Sequence, residues 1–92
     1  MKWVEIIKLR SAGIEQDLLE EFLRSLAKSG QSSELLEIKT YRHAALQRDF
    51  SVHLYWKSER AEENGTNLGL HVVETFKEFG LIDHSVWIEE KR

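Results

Sequence analysis

Phe50-Ser51-Val52-His53-Leu54-Tyr55-Trp56 is the stretch on which the reading of this chain turns. It is dense in aromatic and β-branched residues and bounded by Asp49 and Lys57, the composition and length of a central strand. Alternation puts Phe50, Val52, Leu54 and Trp56 on one face and Ser51, His53 and Tyr55 on the other. Neither set is wholly polar, so both faces are expected to lie against other protein surface.

Outward from that strand, the remaining elements fall into place. Trp3 to Leu9 reads as a first strand, with Ser11-Ala12-Gly13 turning out of it. Ile14 to Lys28 reads as a helix whose apolar stripe is Ile14, Leu18, Leu19, Phe22, Leu23 and Leu26. Gly30 is its expected stop. Leu35 to about Tyr41 alternates as a half-buried strand, with an extension to Ala45 allowed, and residues 44–48 connect it to the central strand. Ser58 to Gly65 is a polar loop with room for one helical turn at Glu59-Arg60-Ala61-Glu62. Thr66 is a good N-cap for a second helix running to about Phe79, with a stripe of Leu68, Val72, Val73, Phe76 and Phe79. Gly69 falls on that stripe and implies close approach to the sheet. Gly80 is read as the helix stop, with Leu81 folding back on it. Ser85 to Glu89 is the last strand.

The order β-α-β-β-α-β predicts an α+β, ferredoxin-like sandwich with both helices on one sheet face. The predicted core is Val4, Ile6, Leu18, Phe22, Leu26, Val52, Leu54, Val72, Phe76 and Val86. The opposite face is expected to carry a set drawn from Trp3, Ile7, Leu9, Tyr41, His53, Tyr55 and Trp87. Bare large side chains of that kind mark an association surface, and a homodimer pairing two sheets face to face is the expected solution.

Composition bounds the function. The 92 residues make a single domain, 1–92, with 41% hydrophobic and 32% charged residues. The net charge of −3 and the absence of a basic stripe argue against nucleic-acid binding. There is no cysteine, which excludes disulfides and thiolate chemistry. No apolar run approaches the ~20 residues that span a bilayer, so no membrane partner is expected and a cytoplasmic location is the default reading. The four histidines, at 43, 53, 71 and 84, are too widely spaced for a short ligand pair, and no metal is expected.

Tyr55-Trp56-Lys57-Ser58-Glu59-Arg60-Ala61 resembles the end of the third strand in antibiotic-biosynthesis-monooxygenase-like proteins. These belong to the dimeric α/β barrel superfamily, in which two ferredoxin-like sheets pair into one barrel. The overall pattern is similar over nearly the whole chain, and the signature itself covers about seven residues. The resemblance implies cofactor-independent oxygenation of an aromatic or quinol-type small molecule, haem degradation, or no activity. The haem-degrading branch uses an Asn on the first strand, the Trp, and a His on the following helix. Only Trp56 matches, so the resemblance points away from haem.

On this reading His53 or His71 serves as the proton-removing base, no cofactor is needed, and Trp56, Tyr55 and Trp87 form the walls of the site. Each also has a plain structural reading. Trp56 fits a core or rim aromatic, His53 an interface residue, His71 a partly exposed helix residue, and His84 a turn residue. Glu5 and Glu37 are candidates to point inward, with Lys39 and Arg42 as candidate partners. The rival function is a non-catalytic module that binds a small ligand or assembles, as ACT-like domains do. A closed pocket lined by both Trp56 and a histidine would favour the enzyme; a solid core there would favour assembly.

Overall fold

The computed structural model describes residues 1–28 and 32–91. Its elements are β1 (Lys2–Ser11), α1 (Gln16–Ala27), β2 (Leu35–Arg42), β3 (Asp49–Lys57), α2 (Asn67–Phe76) and β4 (Gly80–Ile88). The strands form one antiparallel sheet in the order β2-β3-β1-β4. This α+β arrangement, with both crossovers through helices, is consistent with a ferredoxin-like fold. The stop expected at Gly30 lies outside the described residues.

Both helices cover the same sheet face. Ile7 and Leu9 of β1 join Phe50, Val52 and Leu54 of β3 under Leu19, Leu23 and Leu26 of α1 and Val72, Val73 and Phe76 of α2. The face assigned to β1 is therefore corrected. Ile7 and Leu9 are buried beneath the helices and Trp3 is buried on the same sheet face, while Val4 and Ile6 are only half-buried on the open side. Register shows why. Leu9 pairs with Phe50, Ile7 with Val52 and Trp3 with Trp56, so each β1 residue takes the face of its β3 partner. Both parities of β1 are apolar, so composition alone does not choose between them.

Other boundaries move for local reasons. Leu18 is 53% exposed, because the α1 stripe is centred on Leu19 and Leu23. Residues 59–62 form no helical turn. The Thr66 cap is present, its hydroxyl accepting from the Gly69 amide at 2.9 Å. α2 ends at Phe76, before the expected Phe79. Gly80 opens β4 opposite Ser11, where a Cβ would strike the Arg10 carbonyl. Leu81 is consequently the second residue of that strand and is 75% exposed, with no fold-back on the helix.

The open face is left with Val4, Ile6 and Lys8 of β1, Ser51, His53 and Tyr55 of β3, and Lys39 and Tyr41 of β2. Trp87 and Leu81 of the edge strand β4 share it.

Candidate functional site

Strand parity divides the sequence-selected residues between two faces. His53, Tyr55 and Trp87 lie on the open face; Trp56 lies on the helix side. His71 sits on the exposed surface of α2, its ring edge-on to Phe22 at 6.1 Å. His53 and His71 are thus on opposite sides of the sheet, and Trp56 shares no wall with Tyr55 or Trp87.

On the open face His53 is held by its own strand. Ser51 and Tyr55, two residues either way, point to the same side. His53 Nε2 is 2.8 Å from Ser51 Oγ, and Nδ1 is 3.4 Å from the Tyr55 hydroxyl. Tyr41 crosses from β2 with its ring centroid 4.6 Å from that of His53. The phenol of Tyr41 beside it, followed by burial, holds the Tyr55 phenol above its ordinary value, so Tyr55 stays a neutral donor. Lys39 lies 5.9 Å over the Tyr55 ring. Ser51 and Tyr41 were passed over in choosing site residues. Ser51 was legible by the i, i+2 rule; Tyr41 needed the β2–β3 register.

Burial, then the positive charge of Lys8, push His53 below the usual 6.5. The fold therefore favours the neutral ring, which is the form a base needs. The unfolded chain takes up this proton near 6.5 and the folded chain only at lower pH. Below 6.5 the unfolded state holds more protons, so this contribution is full above pH 6.5 and is lost as pH falls toward the folded value. His53→Gln should flatten the loss of stability just below pH 6.5 relative to wild type, measured by urea unfolding across that range. Equal pH slopes for the two proteins would contradict the desolvated histidine.

Trp56 has a different setting. It stacks on Trp3 with centroids 5.6 Å apart and planes 17° apart. Trp3 Nε1 donates to Ser58 Oγ at 2.9 Å, whereas the buried Trp56 Nε1 has no partner among the described residues. A cleft of about 480 Å³ runs beside the pair, edged by Glu34, Glu59, Glu62 and Arg60, and no histidine lines it.

A third group was legible only in part, in the inward-pointing Glu5 but not in its partners. Glu5 is fully buried and is not paired with Lys39 or Arg42. Its Oε2 is 2.6 Å from His84 Nε2 and accepts from the Thr66 amide at 3.1 Å; its Oε1 accepts from the Thr66 hydroxyl at 2.7 Å. His84 belongs to β4 and faces the helix layer, not a turn. This network ties the start of α2 to the middle of the sheet. Glu37, by contrast, is exposed on β2 with Lys39 3.9 Å away.

Among the described residues no cluster of three His, Cys, Asp or Glu is placed to hold a metal, and no helix is long and apolar enough to cross a membrane. No protein-family model matches the chain, and no curated protein or solved structure matches it significantly.

Proposed function

We propose that the chain acts as a homodimer of the dimeric α/β barrel type, in which the open faces of two copies close over an aromatic or quinol-type small molecule. The observation that supports this reading is the desolvated His53 set between Ser51, Tyr41 and Tyr55 on the only sheet face the helices leave bare. A neutral imidazole between aromatic rings suits removal of a proton from an acidic phenol or quinol-type carbon. The electron-rich anion then reacts with dioxygen. For a CH₂ centre the balance is one substrate and one O₂ giving a carbonyl and one water, with no outside reductant. Tyr41, Tyr55 and Trp87 supply the walls; His71 and Trp56 lie on the helix side and take no part.

Sedimentation equilibrium at micromolar protein should return about twice the 10.8 kDa chain mass. Oxygen uptake with a panel of quinols and polyphenols should be measurable and should fall about 10²-fold or more in His53→Gln, the size expected for loss of a general base. A clean monomer removes the barrel. A dimer whose uptake ignores His53→Gln removes the oxygenase.

A second reading, a non-catalytic assembly or ligand-binding module, is supported by Trp56. Its indole is stacked on Trp3 in the helix layer, and no histidine lines the cleft beside it. A stable dimer without oxygen uptake favours this reading.

A further inference from the structure

β4 ends the sheet beside β1, and no strand among the described residues pairs with its outer side. The main chain shows which of its groups point there. The Ala12 amide donates to the Phe79 carbonyl at 2.8 Å, and the Glu89 amide to the Lys2 carbonyl at 3.0 Å. Antiparallel bonds repeat at every second residue, so the odd-numbered residues of β4 turn their amides and carbonyls to β1. Ile82, His84, Val86 and Ile88 turn theirs outward.

The two edges of the sheet are built differently. β2 carries a register shift between Leu35 and Glu37, and Glu37, Lys39 and Arg42 stand along it. Bulges and charges blunt an edge against pairing. β4 has little of either. Its nine residues run in unbroken register with β1, without proline or lysine, and Asp83 is its one acid. Leu81, Trp87 and Ile88 are 75%, 60% and 53% exposed. A long apolar edge with free main-chain groups is a template for another strand.

The strand that fits it is β4 itself. A two-fold axis through His84 brings up an antiparallel copy with Leu81 opposite Trp87, Ile82 opposite Val86 and Asp83 opposite Ser85. Leu81 and Trp87 share the open side, so an apolar pair forms there on each side of the axis. Ile82 and Val86 do the same on the helix side. Ser85 Oγ accepts the Trp87 indole N–H at 2.8 Å, which leaves the hydroxyl proton to donate to the Asp83 carboxylate of the second copy. His84 meets its own copy at the axis, its ring drawn to Glu5 at 2.6 Å. The outward-turned even residues oppose one another, which allows about ten main-chain bonds. Neighbouring registers are worse. An axis at Asp83 opposes two carboxylates, and an axis at Ser85 sets Trp87 against Asp83 and Leu81 against Glu89.

We infer that β4 is the docking edge for a second copy of this chain, the two strands pairing antiparallel about His84 to join two four-stranded sheets into one. The contact goes beyond the open-face pairing and does not rest on it. It runs through the main chain of an edge, where the other uses the side chains of a face.

Hydrogen exchange on the unaltered chain, followed by NMR, is the first test. The amides of Ile82, His84 and Val86 should exchange about 10²-fold or more below their unstructured rates, although their own chain pairs nothing with them. An open-face dimer leaves this edge unpaired. Free exchange at these amides therefore overturns the edge contact, and in a dimer it spares the barrel. Protection in a sample that sediments as a monomer overturns it too, because something other than a second copy then covers the edge.

Cross-linking tests the register. The chain has no cysteine, so introduced thiols meet no others. Positions 81 and 87 would form a non-hydrogen-bonded pair, with Cα atoms ~4.5 Å apart across the axis but roughly 20 Å apart within one strand. Leu81→Cys combined with Trp87→Cys should give a disulfide-linked dimer on mild oxidation, and neither single variant should. Single variants that link as readily, stronger linkage through Ser85→Cys alone, or no linkage in a folded double variant would each overturn the inference.

Discussion

Phe76→Ala should cost about 3–5 kcal/mol of folding stability, a large part of what a domain this size possesses. Phe76 is fully buried on α2 and meets the ring of Phe22 edge-on, with centroids 6.0 Å apart and planes 73° apart. It stands where α1, α2 and the sheet converge, and truncation leaves a hole that three rigid elements cannot close. Phe22→Ala is the control. Phe22 is only half-buried, so water can occupy much of the space it leaves, and its loss should be about half as large. Urea unfolding of the two variants gives the comparison. Equal costs would mean that Phe22 lies deeper than its position on α1 implies.

The contrast between these two rings shows where reading the chain succeeds. Helix stripes are robust, because several residues vote for one face. Leu19, Leu23, Leu26, Val72 and Phe76 are buried as their spacing requires. The same vote overreached at its edges, where Leu18 and Ile14 lie in solvent. β3 was readable because its two faces differ in character. β1 was not, since Val4 and Ile6 are as apolar as Ile7 and Leu9. Only the pairing of β1 with β3 and β4 breaks that tie, and pairing is a property of the folded sheet.

The candidate site divides along the same line. His53 and Tyr55 come together because they are neighbours on one strand. Trp56, one residue further, points the opposite way, as alternation demands; treating all three as one pocket wall set the family resemblance above strand parity. Tyr41 and Lys8 reach His53 only through register. The Glu5 network is further from sequence still, since its partners Thr66 and His84 are 61 and 79 residues away. A lone acid in an apolar strand says that a partner must exist but not which. The one local hint was Gly69, whose place on the helix stripe signalled a close approach without naming the group approached.

That approach yields the most specific expectation. Glu5→Ala should cost about 3–5 kcal/mol, because it strands the buried Thr66 amide and the His84 imidazole and loosens the hydroxyl that caps α2. Gly69→Ala in an ordinary helix would gain about 1 kcal/mol from helix propensity. Here a Cβ at position 69 would land on the Glu5 carboxylate, which is pinned from three sides and cannot swing away. The sign should therefore reverse, to a loss of about 1–3 kcal/mol or more from overpacking. In the double variant the new methyl enters space that the carboxylate has vacated, and the helix recovers its propensity gain. Glu5→Ala with Gly69→Ala should then be no less stable than Glu5→Ala alone, a favourable coupling at least equal to the whole cost of the Gly69 substitution. A double-mutant cycle in urea measures it. Simple addition of the two losses would show that the collision at Gly69 is with something other than Glu5.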